Sequence, residues 1–431
     1  MDPKPKRILS CAARIASSNP ILQPFAALRP VPEYAQIVAA PPYDVLSTAE
    51  ARELAKDNPW SFLHISRPEI DLPQDINPFS CEVYSKGAEN MARMLSEGIL
   101  SRDDAPGYYI YRVQTDDHVQ TGIVGVGSVE AYENNLIRRH ELTRPDKETD
   151  RVKQILAVNA QTGPVFATHK NDNDLSTLME ELTLGEPAYS IIGDGGSVHT
   201  LWVVMARRVI NRIAERFEKL GAIYIADGHH RSAAASRVAA ELKRTNTAHN
   251  GSEPYNSILV VSFPETEVQI LDYNRVVKDI NGLSASMLLD RIEEYFEVFS
   301  SDLPAQPESA GSFGMYLAGG WYILRFKGDL VSNNTIKDDL DVSILSNKIL
   351  SPVLGIGDPR TDPRIGFVGG IRGMAELERQ VDSGDWEVAF ALFPITVSQI
   401  MTLADAQKTT PPKTTWFEPK LADGLVSLTL D

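Results

Sequence analysis

Short apolar runs alternate with longer amphipathic stretches along this chain, and the alternation predicts its secondary structure. The short runs predict strands at 108–115, 121–132, 222–226, 257–263, 313–317, 321–327 and 386–393. Helical spacing of apolar residues predicts helices at 48–57, 81–98, 203–220, 285–295, 338–350 and 374–381. This mixture of strands and helices predicts a mixed α/β or α+β fold.

The length of the chain indicates more than one packed unit. With 431 residues, 43% of them apolar, the chain can bury a large core and is expected to form two or more lobes. Serine, proline and glycine collect at 300–312 between two periodic stretches, which predicts a boundary there. We therefore expect a main region over residues 1–300 and a C-terminal α/β lobe over 301–431, packed on it.

A strand, loop and helix motif at 222–244 gives the strongest chemical signal. The apolar run AIYIA leads into DGHHR and then into SAAASRVAAELKR, so DGHHR falls at a helix N-terminus. Unpaired amides and the positive end of the helix dipole favour an anion there, and an arginine adds a forked cation. The phosphate-binding candidates are Gly228, Arg231 and Ser232.

The same motif supplies groups for proton transfer. Carboxylates and imidazoles move protons or hold metal ions, so Asp227, His229 and His230 are candidate catalytic residues and Asp227 is also the candidate metal ligand. Adjacent helical residues point about 100° apart, so the two histidines are not expected to bind one metal ion together. We expect one of them to face the substrate and the other to face the protein.

A second concentration of charge lies at 133–151, in ENNLIRRHELTRPDKETDR. Thr143, followed by Pro145 and Asp146, has the form of a capped helix start, which places a basic group just before a helix. The residues expected to converge on a polyphosphate are Arg138, Arg139, His140, Arg144, Lys147 and Arg151. The alternative is a solvated helix whose acidic residues neutralise these charges, and the pattern leaves both open.

Other segments contribute weaker candidates. Asp44 lies on the proline-stiffened PPYDV loop, where it is a candidate base or metal ligand, although a turn-capping aspartate is commoner. A small amino-acid acceptor needs groups that hold its charged ends. The substrate-binding candidates are Glu141, Arg372, Lys413 and Thr414. A surface loop and a docked C-terminal arm are the alternatives for the last three.

The composition of the chain limits the kinds of binding partner that we expect. The net charge of −16 and the pI near 5.0 argue against a nucleic-acid partner, because binding to a phosphate backbone needs a basic face. No apolar stretch approaches the roughly 20 residues of a membrane helix, so we expect a cytoplasmic protein with small-molecule substrates and no membrane partner. Cys11 and Cys81 are expected to be free thiols. The oligomeric state stays open.

Several stretches together resemble a known bacterial family, that of domain of unknown function ten-fifteen. The similar stretches are ALRPVPEYAQIVAAPPYDV, IRRHELTRPDKETDR, YIADGHHRSAAA, LDYNRVV and FVGGIRG. The family is grouped with the ParB/sulfiredoxin superfamily, so the resemblance implies a ParB/sulfiredoxin-like core with an additional α/β C-terminal lobe. In that superfamily the turn that resembles DGHHR binds the phosphates of a nucleotide or of pyrophosphate.

Some relatives in that group are free-serine kinases. The resemblance therefore implies a kinase, with Mg²⁺ as cofactor, that transfers a phosphoryl group from pyrophosphate, ADP or ATP to the hydroxyl of free L-serine. The sequence has no Walker motif and no protein-kinase signature, which is consistent with an unusual donor. The alternatives are a phosphoserine phosphatase or other phosphohydrolase with the same site, and a non-catalytic ParB-like nucleotide-binding module.

Overall fold

The computed structural model describes residues 20–328, 340–359, 361–411 and 413–431. Their strands are β1 Leu22–Gln23, β2 Leu28–Pro30, β3 Leu100–Arg102, β4 Tyr108–Gln114, β5 Val119–Ser128, β6 Ile137–Arg138, β7 Ala160–Gln161, β8 Val165–His169, β9 Tyr189–Ile192, β10 Val198–Val204, β11 Ile223–Asp227, β12 Ser257–Pro264, β13 Gln269–Leu271, β14 Tyr273–Val277, β15 Phe296–Ser301, β16 Ser312–Leu317, β17 Gly320–Phe326, β18 Ile365–Gly369, β19 Val388–Leu392, β20 Trp416–Glu418 and β21 Leu428–Thr429.

The α-helices of the same residues connect and cover these strands. They are α1 Ala35–Val38, α2 Thr48–Ala55, α3 Leu63–Ser66, α4 Cys81–Ser96, α5 Val129–Glu133, α6 Pro145–Val158, α7 Asn173–Thr183, α8 Arg207–Leu220, α9 His229–Thr245, α10 Ala285–Ile292, α11 Asp341–Leu345, α12 Gly373–Asp382 and α13 Val397–Asp405. The predicted mixed α/β fold is confirmed. None of the described helices is long and apolar enough to span a bilayer.

Most predicted elements lie where the pattern placed them, and the differences have local causes. The predicted helix at 203–220 begins only at Arg207, because the preceding residues continue β10 against β4. The predicted strand at 121–132 ends at Ser128, whose side chain accepts the amide of Ala131 and begins α5. The expected cap of α6 by Thr143 is wrong: Arg144 is the N-cap residue, and the Thr143 hydroxyl donates to Glu148 instead.

Two predictions fall partly outside the described residues. Cys11 lies outside them, whereas Cys81 is an exposed free thiol as predicted. Residues 338 and 339 of the predicted helix at 338–350 also lie outside. The rest of that stretch forms α11, followed by a π-helical turn over Ser346–Leu350.

Nine strands form the larger sheet. The order is β6, β11, β8, β12, β5, β4, β10 and β9, and β1 pairs with β5. β11 runs parallel to β6 and antiparallel to β8. Because parallel strands end at the same edge of a sheet, the residues after β6 and after β11 meet there, together with the residues that precede β8. This edge brings the two predicted concentrations of chemistry together.

Six strands form the second sheet, in the order β15, β17, β16, β19, β14 and β18. Successive residues of a strand face opposite sides of the sheet. On one side, Val277 and Phe390 pack in the large core, which also contains Phe166 and Val261 of the first sheet. On the other side, Val276 packs in a smaller cluster with Leu377 of α12. The two sheets therefore share one core, and helices α6 to α9 supply apolar side chains to the other face of the larger sheet.

The change from one sheet to the other lies between β12 and β14, so the expected boundary at residue 300 falls at the end of β15, a strand of the second sheet. The division into two units stays a prediction.

The C-terminal segment returns to the first sheet after the second one is complete. The amide of Asp423 donates to Ala40, and the amide of Ser427 donates to Leu28, while β21 pairs with β7. Several apolar residues of the segment, including Leu421 and Leu425, are buried in the large core. The end of the chain is thereby held against the edge where β11 ends.

Candidate functional site

The site is built around the first turn of α9. β11 contains a β-bulge between Ile225 and Asp227, which changes the direction of the last side chain of the strand. Gly228 follows with φ +97°, a left-handed conformation that favours glycine. α9 then begins at His229, and no side chain of the described residues caps its first turn. Its first amides and the positive end of its dipole are therefore available to an anion.

Arg231 lies across this turn as a half-buried cation. Its guanidinium donates to the carbonyl oxygen of Pro164, just before β8, and lies 3.8 Å from Asp227 Oδ1. A Cβ added to Gly163 would lie 3.5 Å from the Arg231 side chain. Burial acts to lower the pKa of Arg231, but Asp227 and Asp44 outweigh it, and the pKa is raised. The group is a permanent positive charge in the site.

Asp227 is held in an ion pair. Lys420 Nζ, from the C-terminal segment, donates to Asp227 Oδ2 at 2.9 Å. Burial acts to raise the pKa of Asp227, but the positive charges of Lys420 and Arg231 overcome it and hold the pKa far below its ordinary value. Such a carboxylate accepts a proton poorly. It is suited to hold a cation or to position Lys420.

Arg151, Tyr43 and Asp423 close one side of the site. The Arg151 guanidinium lies 4.0 Å from the Tyr43 ring centroid and pairs with Asp150 at 2.6 Å. Together with Arg231, these residues line a narrow pocket of about 30 Å³, which accepts only a water-sized group. Burial raises the pKa of Asp423 to about 7 and that of Tyr43 to about 12. We call the space bounded by the first turn of α9, Arg231, Arg151 and Lys420 the α9 cleft.

Asp44 lies at the mouth of the α9 cleft and is exposed. Its negative charge contributes to the raised pKa of Arg231, Lys420 and Lys413, which places it among these cations. No hydrogen bond or ion pair to its carboxylate occurs among residues 20–328 and the later described ranges. Asp44 is thus a carboxylate near the cations, whereas Asp227 is already paired.

The two histidines of DGHHR face different surroundings, as expected. His229 is buried, and its Nε2 accepts the backbone amide of His140 at 3.4 Å. Burial holds its pKa well below the ordinary value. His230 is less buried, and its Nε2 accepts the amide of Arg144 at 3.0 Å. Burial, with the charge of Lys413, lowers its pKa as well. Both rings are therefore neutral near neutral pH.

The predicted basic cluster divides in the structure. Only Arg151 reaches the α9 cleft with its guanidinium. The other four cations have partners elsewhere: Arg138 pairs with Asp405, Arg139 lies over Tyr132, Arg144 pairs with Asp146, and Lys147 lies over Phe79. His140 lies fully buried beside His229. The alternative of charges neutralised by acidic residues of the same segment therefore describes Arg144 and Arg151, but not Arg138, Arg139 or Lys147.

The remaining candidate residues lie in different parts of the structure. The Ser232 hydroxyl is fully buried and donates to the carbonyl oxygen of Gly228, so it turns back on its own helix. Arg372 is exposed and acts electrostatically on Glu50 and Glu376 rather than on the cleft. Glu141 and Lys413 lie together, because each shifts the pKa of the other.

Thr414 donates to the carbonyl oxygen of Pro411 and lines a separate cavity of about 300 Å³. Arg275 and Asp341 also line this cavity.

Sequence reasoning missed Lys420, Tyr43 and Asp423. Each lies far from DGHHR along the chain; Lys420 is separated from Asp227 by 193 positions. The one available signal was a pair of charges, Lys420 and Asp423, in an otherwise apolar segment. A buried ionic side chain in such a segment usually has a partner.

Comparisons with known proteins find one family model and several distant solved structures. A family model described as "Protein of unknown function (DUF1015)" matches residues 22–343. A solved free serine kinase in complex with AMP is 13% identical with a TM-score of 0.37, over 72% of this chain and 91% of that chain. No curated protein matches the chain.

Two further solved structures are similar at the same level. A conserved hypothetical protein from Pyrococcus furiosus is 14% identical with a TM-score of 0.33, over 70% of this chain and 94% of that chain. SbnI with a C-terminal truncation, from Staphylococcus aureus, is 11% identical with a TM-score of 0.36, over 70% and 86%. At these values the likeness does not bear on activity, which has to be inferred from the cleft.

Proposed function

From the chemistry of the α9 cleft, we propose an activity for this chain, which belongs to the DUF1015 family of proteins of unknown function. A polyphosphate binds at the open side of the cleft, across the first turn of α9, because the narrow pocket beside Arg151 accepts only a water-sized group. The cleft transfers a phosphoryl group from it to the hydroxyl of free L-serine. The donor is pyrophosphate or a nucleotide, ADP or ATP. The observation that supports this most is the meeting of free helix amides with Arg231, Arg151 and Lys420 in a chain of net charge −16.

Polyphosphate binding follows from these groups. Phosphoryl transfer depends mainly on positioning and on neutralising charge around the moving group. Arginine forks and helix amides match phosphate oxygens in geometry and charge. The net charge of −16 repels anions in general, so a polyphosphate is expected to bind only where local cations gather, as they do in the cleft.

Asp44 is the proposed base. Its carboxylate takes the proton of the serine hydroxyl as that oxygen attacks the terminal phosphorus, and the bond from phosphorus to the bridging oxygen breaks. With pyrophosphate the leaving group is inorganic phosphate, and the product is O-phosphoserine. Asp227 is less suited to this role, because Lys420 and Arg231 keep it ionised and paired. His230 and the amides of α9 contact the transferring group.

Mg²⁺ fits the cleft as a cofactor. Mg²⁺ is usually held by one or two carboxylates together with substrate phosphates and water; Asp227 would supply a carboxylate oxygen beside the proposed phosphate site, which leaves Asp44 as the base. When bound, the ion would neutralise charge on the donor phosphates. Lys413, exposed at the mouth, would bind the carboxylate of serine, with Glu141 beside it.

A donor panel tests the proposal. The protein is incubated with L-serine, Mg²⁺ and either pyrophosphate, ADP or ATP, and O-phosphoserine is detected by ³¹P NMR. We expect product with at least one donor. Release of phosphate from O-phosphoserine without any donor would instead support the phosphohydrolase. Donor binding without turnover would support the non-catalytic module.

Two variants test the proposed roles of Asp44 and Arg231. Asp44→Asn should lower turnover by about 10²-fold to 10⁴-fold while donor binding is kept. Arg231→Gln should weaken donor binding by about 10-fold to 100-fold, the loss of a hydrogen-bonded charge. Arg139→Gln is the matched control, because this exposed arginine lies over Tyr132, outside the cleft. Full turnover in Asp44→Asn would remove Asp44 as the base.

A further inference from the structure

We infer that His140, Glu141 and His229 form a binding site for a divalent first-row transition metal ion. Each residue offers one ligand atom, and the three atoms lie within 4.8 Å of one another. In a metal site with bonds of about 2.0–2.2 Å, ligand atoms are separated by less than this. Small side-chain adjustments are therefore enough to close the site around an ion.

The state of His140 is the independent observation that points to a ligand. Its ring is fully buried, and neither ring nitrogen makes a hydrogen bond of good geometry among the described residues, although the backbone of Ile225 lies close enough to one ring nitrogen to interact with it. Buried polar groups in proteins are almost always satisfied, and an exception requires an explanation such as a bound ion. A metal ion bound to one ring nitrogen supplies that explanation.

The backbone holds His140 in position for this role. Its carbonyl oxygen accepts the amide of Thr410 at 2.7 Å and the Thr410 hydroxyl at 3.2 Å. The His140 ring meets the His229 ring edge to face, with centroids 4.5 Å apart. His229 Nε2 is engaged only by the His140 amide at 3.4 Å, a length at which a hydrogen bond is weak. A nitrogen lone pair of His229 is therefore available at little cost.

The ligand set selects the kind of metal. Two imidazoles and one carboxylate suit Zn²⁺, Fe²⁺ or Mn²⁺, whereas Mg²⁺ prefers oxygen ligands and retained water. Three protein ligands leave a coordination position open. Glu141 is the least buried of the three ligand residues. In this arrangement Glu141 is a metal ligand rather than a contact to the acceptor.

Co²⁺ is the probe for the test, because its visible absorption reports its ligands. The full chain is stripped with a chelator and titrated with Co²⁺, without phosphoryl donor or serine, and Zn²⁺ binding is measured by calorimetry. We expect one ion per chain, visible absorption bands, and no displacement of Co²⁺ by an equal concentration of Mg²⁺. Absence of binding, or equal competition by Mg²⁺, would overturn the inference.

Glu141→Gln and His140→Gln should each weaken Co²⁺ binding by at least about tenfold. Glu141→Gln keeps the side-chain volume, so it tests the metal site even if His140→Gln fails to fold. His118→Gln is the matched control: this histidine contacts the carbonyl oxygen of Glu267, on another part of the large sheet. Loss of binding in His118→Gln, or unchanged binding in Glu141→Gln, would contradict the site. Because no donor or acceptor is present, the result is independent of the proposed kinase activity.

Discussion

Single residues at the start of α9 set the geometry of the cleft. Gly228 has φ +97°, and a Cβ there would lie 2.9 Å from Arg231 Nε. A side chain at this position therefore meets two obstacles, the left-handed backbone and the guanidinium. The conformation of Gly228 therefore affects the placement of Arg231, the main cation of the proposed phosphate site.

Gly228→Ala should destabilise the protein by about 1–2 kcal/mol, the cost of a left-handed non-glycine residue. It should also weaken donor binding, because Arg231 has to move. Gly221→Ala is the control: Gly221 has φ +71°, but nothing lies within 4 Å of an added Cβ. Urea unfolding and calorimetric titration of pyrophosphate should show similar stability losses but a binding loss only in Gly228→Ala. Equal donor binding in both variants would contradict this.

Asp341, at the start of α11, is a second residue whose environment affects a measurable quantity, here the stability of the fold. Its Oδ1 accepts the amide of Gly311 at 2.8 Å, while Oδ2 is buried without a partner among the described residues. Burial raises its pKa from 3.8 to about 7. The folded state thus favours the protonated form, and the stability that this group contributes is lost as the pH rises through about 7.

Asp341→Asn should therefore stabilise the protein. The amide mimics the protonated acid and keeps an acceptor for Gly311. We expect a gain of about 1–3 kcal/mol above about pH 7 that shrinks to near zero at about pH 4, measured by urea unfolding over this range. A variant less stable than the parent at about pH 8 would show that the buried, ionised carboxylate does not destabilise the fold.

At the scale of elements, a capping box positions the loop that contains Asp44. The Ser47 hydroxyl accepts the amide of Glu50, and the Glu50 carboxylate accepts the amide of Ser47 at 2.7 Å. This reciprocal pair fixes the start of α2, three residues after Asp44. Helix α13 has the same arrangement between Thr396 and Gln399, and it provides a comparison.

Ser47→Ala and Thr396→Ala should each cost about 1 kcal/mol of stability, the usual loss of an N-cap. Only Ser47→Ala should also lower turnover, because it loosens the loop that holds the proposed base. Chemical unfolding together with the O-phosphoserine assay separates the two effects. Equal turnover in the two variants would indicate that the Asp44 loop is held by other contacts.

On the scale of the whole molecule, the large core imposes a pH dependence. Burial lowers the pKa of His199 from 6.5 to about 4 and that of His169 to about 3. His199 is hydrogen-bonded to the Tyr111 hydroxyl at 2.6 Å. The folded state keeps these rings neutral, whereas the unfolded chain binds protons below about pH 6.5. Stability is therefore fully present above that pH and is lost as the pH falls through about 4.

His199→Gln should reduce this dependence. We expect the parent protein to lose about 2 kcal/mol more than the variant between about pH 7 and about pH 4.5. Urea unfolding at the two pH values measures the difference. Parallel losses in both proteins would show that His199 does not contribute to the acid sensitivity of the fold.

The sequence by itself determined the features that depend on residues close together along the chain. Apolar spacing fixed the mixed fold class and most elements, from the β4 and β5 hairpin to α9 and its glycine, because hydrophobic periodicity and capping chemistry are local properties. The helix N-terminus after β11 was predicted for the same reason. Its assignment as an anion site stays a prediction.

Only the tertiary structure decided which charges meet. The sequence made both Arg138, before the predicted helix, and Arg151, on it, candidates for one phosphate site, but the local pattern does not say what lies opposite either residue. The fold separates them: Arg151 lies over Tyr43, whereas Arg138 pairs with Asp405. Lys420 joins Asp227 because the C-terminal segment returns to the edge where β11 ends. Likewise, the parallel pairing of β6 and β11 places His140 beside His229. Contacts between distant segments depend on strand order and burial, which no local pattern specifies.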